Sequence, residues 1–300
     1  MRELPLSLAP NTWVHRPHPL PQAALRLFCL PYGGGEASLF RHWPALLPPD
    51  LRDCIEICAI QLPGRAHRLR ERPLCNSLEA LIELLVPYSL QESPLYPYLD
   101  RPFAFFGASS FGGLICFELA CALSLRHGRE AAALCVAACR APHLPGPYVL
   151  DERGQFSEMN LLQQLQEYGG TPAYILQDEQ LMALARPKLM ADSLLTATYS
   201  YSPDLGPDCP ILVVGGTDDH IVSMADLAAW QTHTRQAFRL YMLPGDHFFV
   251  RDAPAHVRAQ LLEYICRPLR PHLEQLTAGK TGAEGGKHIR ETHAPVHVER

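Results

Sequence analysis

The stretch FAFFGASSFGGLICFELA, residues 103–120, decides the fold of this chain. Its first five residues are apolar and typical of a buried strand, and from about Gly113 an apolar helix is predicted to run to about Leu125. Small residues and two adjacent serines, Ser109 and Ser110, lie between them. A strand that turns sharply into a helix at a serine lifts the hydroxyl out of the sheet, which is the geometry of a nucleophile elbow.

Either serine can be the nucleophile of this elbow. The residues two positions before and after the nucleophile must be small, because the strand and helix backbones nearly touch there. Ser110 has an alanine and a glycine at these positions, whereas Ser109 has Gly107 before it and the bulky Phe111 after it. The spacing favours Ser110, with Ser109 as the alternative. A glycine-rich strand–helix connection without chemistry is the competing interpretation.

Apolar, strand-like runs alternate with helix-like segments along the rest of the chain. The runs cover residues 26–31, 55–63, 103–107, 131–139, 210–216 and 238–243. Continuously apolar strands separated by helices predict an α/β fold, with a mostly parallel central sheet and helices on both faces. Between Arg140 and Tyr201 no strand is apparent. This segment is too long for a simple crossover, so we predict an inserted helical lid over about 141–201.

The composition sets the domain organisation and excludes several classes of protein. With 47% hydrophobic and 19% charged residues, the chain can bury a large core. We predict an N-terminal extension over 1–24, one α/β domain over 25–277 and a disordered polar tail over 278–300. A net charge of -5 argues against nucleic-acid binding and against a basic membrane-binding surface.

The N-terminal sequence and the cysteines both indicate a protein of a reducing compartment. The N-terminus lacks the apolar run of a signal peptide, and the apolar segment 104–125 contains glycines and serines that favour a strand and a buried helix over a membrane span. We therefore expect a cytoplasmic protein. Its ten cysteines form no C-x-x-C pair, so we interpret them as reduced, buried residues and predict no metal site.

A nucleophilic serine needs a histidine base and an acid that orients the base. The run LVVGGTDDHIV places Asp218 and Asp219 directly after one predicted strand, and LYMLPGDHFFV places His247 after the next. Active groups of an open parallel sheet lie at these carboxyl ends. A G-x-x-D-x-x-V spacing favours Asp219 over Asp218. His247 is favoured as the base over His220 and His256, which follow strands less directly.

An oxyanion hole needs two backbone N–H groups near the nucleophile. One comes from the residue after the nucleophile, which is Phe111 if Ser110 attacks. The other comes from a loop after an earlier strand, and LPYGGGEAS follows the predicted strand RLFCL. We predict Gly33 as this second donor. Taken alone, the three glycines are also compatible with an ordinary flexible turn.

Several motifs together resemble one family, the stand-alone type II thioesterases of polyketide and nonribosomal peptide synthesis. The resemblance runs from about Leu27 to about Leu269. The matching stretches are LFCLPYGGGEASLFRHW, QLPGRAHRLRERP, FFGASSFGGLICFELA, GGTPAYILQDEQLMALARPKLMAD, PILVVGGTDDHIVS and PGDHFFV. The chain departs from the family pattern at Gly33, Ala108 and Ser109, where that pattern usually has alanine, glycine and histidine.

The resemblance implies an α/β-hydrolase fold and a catalytic triad of Ser110, Asp219 and His247, with oxyanion donors at Gly33 and Phe111. It implies hydrolysis of misprimed or stalled acyl thioesters through an acyl-serine intermediate. The acyl group would be carried on the phosphopantetheine arm of an acyl or peptidyl carrier protein. The enzyme would then need no cofactor of its own, and we expect it to be a monomer.

Two further sets of residues are predicted to contact the substrate or its carrier. The lid run SEMNLLQQLQEYGG is amphipathic, and Leu162 and Leu165 are expected to line the acyl path. Carrier proteins are commonly acidic, so basic residues near the active-site mouth should assist docking. The candidates, which also fit an ordinary solvated charge run, are Arg65, His67, Arg68 and Arg70.

Three other functions are compatible with the same sequence features. A generic serine carboxylesterase or lipase shares the triad, the fold and the lid. An acyltransferase would replace water with an alcohol or an amine as the acceptor. A non-catalytic carrier-binding protein would have the same fold with an inactive elbow, supported only by the departures at Ala108 and Ser109.

Overall fold

The computed structural model describes residues 10–73, 77–146, 157–203, 206–281 and 298–299. The strands are β1 Val14–His15, β2 Leu25–Leu30, β3 Ile55–Ile60, β4 Phe103–Ala108, β5 Leu134–Ala137, β6 Ile211–Gly216, β7 Phe238–Leu243 and β8 Val298–Glu299. The α-helices are α1 Pro10–Trp13, α2 Trp43–Leu46, α3 Leu78–Leu85, α4 Ser109–His127, α5 Glu158–Tyr168, α6 Ala173–Gln177, α7 Glu179–Ala197, α8 Met224–Ala228, α9 Phe249–Asp252, α10 Ala255–Cys266 and α11 Arg270–Thr281. Short 3-10 helices cover Ala37–Phe40, Ala66–Arg68, Leu90–Glu92, Tyr96–Tyr98, Ala229–His233 and Arg267–Leu269.

The strands form one sheet in the order β1-β3-β2-β4-β5-β6-β7-β8. Neighbouring strands pair in parallel, except that β1 runs antiparallel to β3. Every residue of β2, β3, β4, β5 and β6 is buried. Because helices cover both faces of the sheet, these strands are apolar at nearly every position rather than alternating. The exceptions, Arg26 of β2 and Glu56 of β3, are buried and form an ion pair with each other. The predicted α/β architecture is confirmed.

Two hydrophobic layers pack on opposite faces of the sheet. One layer contains α3 and α4 together with the alternate side chains of the strands that point toward them, such as Phe105. The other contains α2 and α10 with the remaining strand side chains, such as Phe106. Because successive strand residues face opposite ways, one apolar run supplies both layers.

The described part of the predicted N-terminal extension over 1–24, residues 10–24, packs on the edge of the α/β domain. Val14 of β1 pairs with Ile60 of β3 at the edge of the sheet. Trp13 is fully buried, and the guanidinium carbon of Arg68 lies 3.8 Å from its ring centroid. The predicted extension is therefore anchored to the domain through a two-residue strand and one tryptophan, neither of which forms a long apolar run in the sequence.

The segment predicted as disordered from residue 278 is partly ordered. Helix α11 continues to Thr281, and β8 pairs with β7 in parallel. The remainder of the predicted tail, residues 282–297 and 300, lies outside the described residues.

Three helices, α5, α6 and α7, form the predicted insertion between β5 and β6. Residues 147–156 and 204–205 of this region lie outside the described residues. Helix α7 packs against α4 of the core, and α5 and α6 both pack against α7. The lid is therefore a helical layer held on the body through α7.

In the part of the chain that the structure describes, α4 is the one helix long and apolar enough to cross a membrane, and 72% of its most apolar window is buried inside the fold. It packs against α3, β4 and β5. Its apolar character is thus accounted for by its place in the core. The described cysteines are free, and all are buried except Cys54, which is partly exposed.

Candidate active site

The serine elbow joins β4 to α4. The strand ends at Ala108 and the helix begins at Ser109, whose φ is +57°. This left-handed conformation is strained for any residue with a side chain, and such strain is typical of a nucleophile elbow. The strained turn places the Ser109 hydroxyl above the carboxyl end of the sheet.

Three side chains meet at this end of the sheet in a hydrogen-bonded chain. Oγ of Ser109 lies 2.9 Å from Nε2 of His247, and Nδ1 of His247 lies 2.9 Å from Oδ2 of Asp219. Asp219 follows β6 and His247 follows β7, as the sequence predicts. Nucleophile, base and acid have the relative positions that acyl transfer requires.

The structure does not bring the favoured serine, Ser110, to the base; the alternative, Ser109, is the one whose hydroxyl lies against His247. Ser110 has an ordinary helical backbone as the second residue of α4, and its side chain is 7% exposed. No hydrogen bond joins it to His247 among the described residues. Ser109, at the sharp turn, has its hydroxyl against the imidazole, whereas Ser110 lines the same cavity one residue further along the helix.

The elbow contains one residue more than the usual pattern. G-x-S-x-G has three residues between its glycines, whereas Gly107 and Gly112 here have four residues between them. A Cβ on Gly107 would overlap the carbonyl of Gly112, and a Cβ on Gly112 would lie 2.6 Å from the carbonyl oxygen of Pro31. The close approach thus joins Gly107 to Gly112. Gly107 lies two residues before Ser109, and Gly112 lies two residues after Ser110. Each serine therefore has a glycine at one of the two positions that must be small.

Asp219 is held as a carboxylate by its surroundings. Its Oδ1 accepts hydrogen bonds from the backbone N–H groups of Ile221 and Val222, at 2.8 Å and 3.0 Å. Burial disfavours its charge, but the hydrogen bond and charge of His247 and the two N–H bonds outweigh burial and lower the pKa of Asp219. It is therefore ionised around neutral pH and can stabilise an imidazolium at His247.

The alternative acid and bases lie away from the nucleophile. Asp218 is exposed, and its carboxylate accepts a hydrogen bond from the hydroxyl of Thr217 over 3.3 Å. His220 and His256 are also exposed. In the described residues, no group of three or more His, Cys, Asp or Glu side chains is arranged to hold a metal ion.

One of the two expected oxyanion donors changes with the nucleophile. The residue after Ser109 is Ser110, so Ser110 and not Phe111 has the backbone N–H that this role requires. Phe111 instead packs against Gly33, since a Cβ on Gly33 would lie 3.7 Å from Cβ of Phe111. Gly33 lines the same cavity as Ser109. Its role as the second donor remains a prediction.

A cavity of about 440 Å³ opens between the triad and the lid. It is lined by Ser109 and His247 from the body and by Leu165 and Tyr168 from α5. Leu162, by contrast, is 36% exposed and does not line it. The structure thus brings Leu165 to the cavity and leaves Leu162 outside it, because Leu161, Leu165 and Tyr168 follow a helical i, i+4, i+7 spacing that leaves Leu162 to one side.

Only some residues of the basic run after β3 are exposed to solvent. Arg65 is 2% exposed and Arg68 is 1% exposed, whereas His67 and Arg70 are exposed. Arg68 donates to the carboxylate of Glu71 in addition to stacking on Trp13. The expectation that all four residues are available for carrier docking was therefore wrong for the two buried arginines.

Asp192, on α7, lines the cavity and was not found from the sequence. It binds Arg65 and the backbone of Gly34. A single acid within a long amphipathic helix is usually a solvated residue. Its only sequence signal is its place on the apolar side of α7, between the buried Ala191 and Leu195.

Comparisons with known proteins agree with this geometry. The family model for the thioesterase domain matches residues 25–265. The gramicidin S biosynthesis protein GrsT of Aneurinibacillus migulanus is 35% identical over 260 residues, covering 87% of this chain and 94% of that protein.

Two solved structures are also similar. The RedJ thioesterase of the prodiginine pathway in Streptomyces coelicolor has a TM-score of 0.69 and 32% identity, covering 82% of this chain and 86% of that one. YbtT, a type II thioesterase from the yersiniabactin NRPS/PKS biosynthetic pathway, has a TM-score of 0.71 and 27% identity, covering 87% of this chain and 99% of that one.

The fold and the site define a serine hydrolase of the α/β-hydrolase type. The chain belongs to the thioesterase domain family, and its similarity to type II thioesterases of NRPS and PKS pathways extends over most of its length. The resemblance seen in the sequence is thereby confirmed.

Proposed function

We propose that this enzyme removes misprimed or stalled acyl groups from the phosphopantetheine arm of carrier proteins in polyketide or nonribosomal peptide synthesis. The observation that carries the proposal is the hydrogen-bonded triad of Ser109, His247 and Asp219 beneath a helical lid, in a protein of this family. The reaction needs no cofactor of the enzyme's own, because serine, histidine and acid supply the nucleophile and the proton transfers. We place its action in the cytoplasm, where such synthases would meet it.

Acylation begins when His247 takes the proton of Ser109 and Oγ attacks the thioester carbonyl. The tetrahedral intermediate places a negative charge on the former carbonyl oxygen, which the N–H groups of Ser110 and Gly33 stabilise. Collapse of the intermediate breaks the C–S bond, and His247 gives its proton to the departing thiol. The products of this half-reaction are the free pantetheine thiol and an acyl-Ser109 ester.

Deacylation repeats these steps with water as the nucleophile. His247 accepts a proton from water, the hydroxide attacks the acyl-Ser109 carbonyl, and the proton returns to Oγ as the acid leaves. Asp219 stays ionised throughout and holds the imidazole with Nε2 directed at the serine. Water must therefore reach Ser109 after the thiol has left, which requires the cavity under the lid to remain partly open.

The preference for thioesters over oxygen esters is the first test of the proposal. Wild-type protein is incubated with an acyl-pantetheine thioester and with the oxygen ester of the same acyl group. We expect the thioester to be hydrolysed much faster, since it has less resonance stabilisation and a better leaving group. Equal rates on both substrates would support the generic carboxylesterase instead.

The carrier itself provides the second test. Intact-mass measurement of several acyl-carrier proteins should show loss of the acyl mass and recovery of the free holo-carrier. Adding an alcohol or amine acceptor distinguishes hydrolysis from transfer, because transfer would yield the ester or amide in place of the acid. A protein that binds the acyl-carrier without changing its mass would be the non-catalytic carrier-binding protein.

The lid helix α5 supplies a prediction about chain length. Replacing Leu165 by glutamine introduces a polar group into the cavity wall, so we expect hydrolysis of long acyl chains to fall relative to short ones. Replacing Leu162 by glutamine is the matched control, because that side chain is already partly in solvent. Acyl-chain profiles and melting temperatures are measured for both. A lower melting temperature of Leu165→Gln with an unchanged profile would mean that Leu165 only anchors the lid.

A further inference from the structure

A buried ion pair joins the lid to the body of the domain. Nη2 of Arg65 lies 2.7 Å from Oδ1 of Asp192, and Nη1 lies 2.9 Å from Oδ2. Only 2% and 3% of the two side chains are exposed. A bidentate pair holds both planar groups in one relative orientation, and separating it would leave an unpaired charge in the interior. The position of α7 is therefore tied to the turn that follows β3.

The same pair binds the glycine loop, residues 33–35, which follows β2. The N–H of Gly34 donates to Oδ2 of Asp192 over 2.6 Å. Nη1 of Arg65 donates to the carbonyl oxygen of Gly35 over 3.2 Å. Two consecutive residues of the loop are thus bound to the ion pair, Gly34 through its N–H group and Gly35 through its carbonyl oxygen.

Two helices, α7 of the lid and α4 of the body, pack against the glycine loop. A Cβ on Gly34, whose φ is +77°, would lie 2.5 Å from Cδ2 of Leu189 on α7. Phe111 in the first turn of α4 packs against Gly33, and the guanidinium carbon of Arg65 lies 6.0 Å from its ring centroid. The loop is therefore in contact with both the lid helix α7 and the helix α4 that follows Ser109.

We propose that Arg65 and Asp192 are positioning residues that fix the glycine loop so that the N–H of Gly33 serves the oxyanion of the Ser109 intermediate. Neither side chain touches the reacting atoms. A donor stabilises an oxyanion strongly only when it is held in place before the reaction. The N–H of Gly34 is already bound to Asp192, which leaves the neighbouring N–H of Gly33 for the substrate.

The inference rests on the proposed function, and the two fail in different ways. Wild-type hydrolysis of an acyl-pantetheine thioester tests the function, whereas the inference is tested by comparing variants with wild type on that same substrate. Because removing one charge would strand the other in the interior, the variants replace both at once.

The experiment compares two double variants that differ at one residue. Arg65→Met with Asp192→Leu removes the ion pair and the acceptor for Gly34. Arg65→Met with Asp192→Asn removes the ion pair but keeps a side-chain oxygen that can accept from Gly34. We expect kcat of the leucine variant to fall about tenfold to a hundredfold with little change in KM, and the asparagine variant to recover most of that loss.

Stability and a matched ion pair separate positioning from folding. Melting temperatures are measured for both variants, and Asp192→Ala replaces Asp192→Leu if the leucine variant does not fold. Arg68→Met with Glu71→Leu is the control, because that pair lies in the same segment without contacting the glycine loop. We expect the control to keep wild-type kcat. Folded leucine and asparagine variants that both keep wild-type kcat would overturn the proposal. Equal losses in both would overturn the role of Asp192, because the loop would then depend on Arg65 alone.

Discussion

Replacing Ser109 by alanine is expected to lower kcat for thioester hydrolysis by about four to six orders of magnitude. The change removes the atom that attacks the carbonyl, while the oxyanion donors and the cavity remain and account for any residual rate. The melting temperature should not fall, because the substitution removes no contact in the core and leaves the strained backbone of the elbow as it is. A fluorophosphonate probe, which phosphonylates the active serine with loss of fluoride, should no longer label the protein.

Ser110→Ala is the control for this result. It leaves Ser109, His247 and the backbone N–H of residue 110 in place, so labelling by the probe should persist. The opposite pattern, with labelling lost in Ser110→Ala and retained in Ser109→Ala, would show that the elbow in solution presents the second serine.

Replacing His247 by alanine is expected to cost nearly as much as losing the serine, about four to six orders of magnitude in kcat. The serine then has no base to take its proton, and the thiol has no acid to protonate it as it leaves. Asp219→Asn should cost less, about four orders of magnitude, because the acid orients the histidine and stabilises its charged form without bonding to the substrate.

Asp218→Asn provides the comparison for the acid. This carboxylate is exposed, and its hydrogen bond comes from Thr217, so its loss should leave kcat near the wild-type value. Rates are measured on the acyl-pantetheine thioester for all three variants. A large loss in Asp218→Asn beside a mild one in Asp219→Asn would refute the assignment of the acid.

The fold could be predicted because its signals are local. Strands buried on both faces are apolar along most of their length, so β2, β3, β4 and β6 are each visible as a largely apolar run. Arg26 and Glu56 interrupt the runs of β2 and β3 and pair with each other. Asp219 and His247 were found for the same reason, since each follows such a run at the carboxyl end of the sheet. The N-terminal strand β1 is only two residues long and has no such signal.

The choice of serine depended on backbone geometry that the spacing alone does not contain. Gly107 and Gly112 are both required to be glycine, but the extra residue between them allows either Ser109 or Ser110 to be counted as the centre of the motif. The two alternatives differ in where the strand ends and the helix begins. The left-handed φ of Ser109 places the sharp turn at that residue, and the oxyanion donor that we propose is accordingly the N–H of Ser110 rather than that of Phe111.

Arg65 shows why the basic run was misinterpreted. Local sequence around it is strongly charged, which is typical of a solvated surface. Its partner Asp192 is 127 residues away in an inserted helix, so the pairing that permits its burial leaves no local pattern. Long-range ion pairs of this kind follow from the tertiary arrangement of the lid rather than from the periodicity of any one segment.

The most direct test of the account is to find where the acyl group resides during turnover. Wild-type enzyme is mixed with an acyl-pantetheine thioester, quenched with acid within the first turnover, and digested, and fragmentation of the elbow peptide locates the added acyl mass. The account predicts the acyl group on Ser109 in wild type and no acylated elbow peptide within the same time in His247→Ala, because the serine then lacks the base that acylation needs. An acyl group on Ser110, or thioester hydrolysis that persists at the wild-type rate in Ser109→Ala, would contradict it.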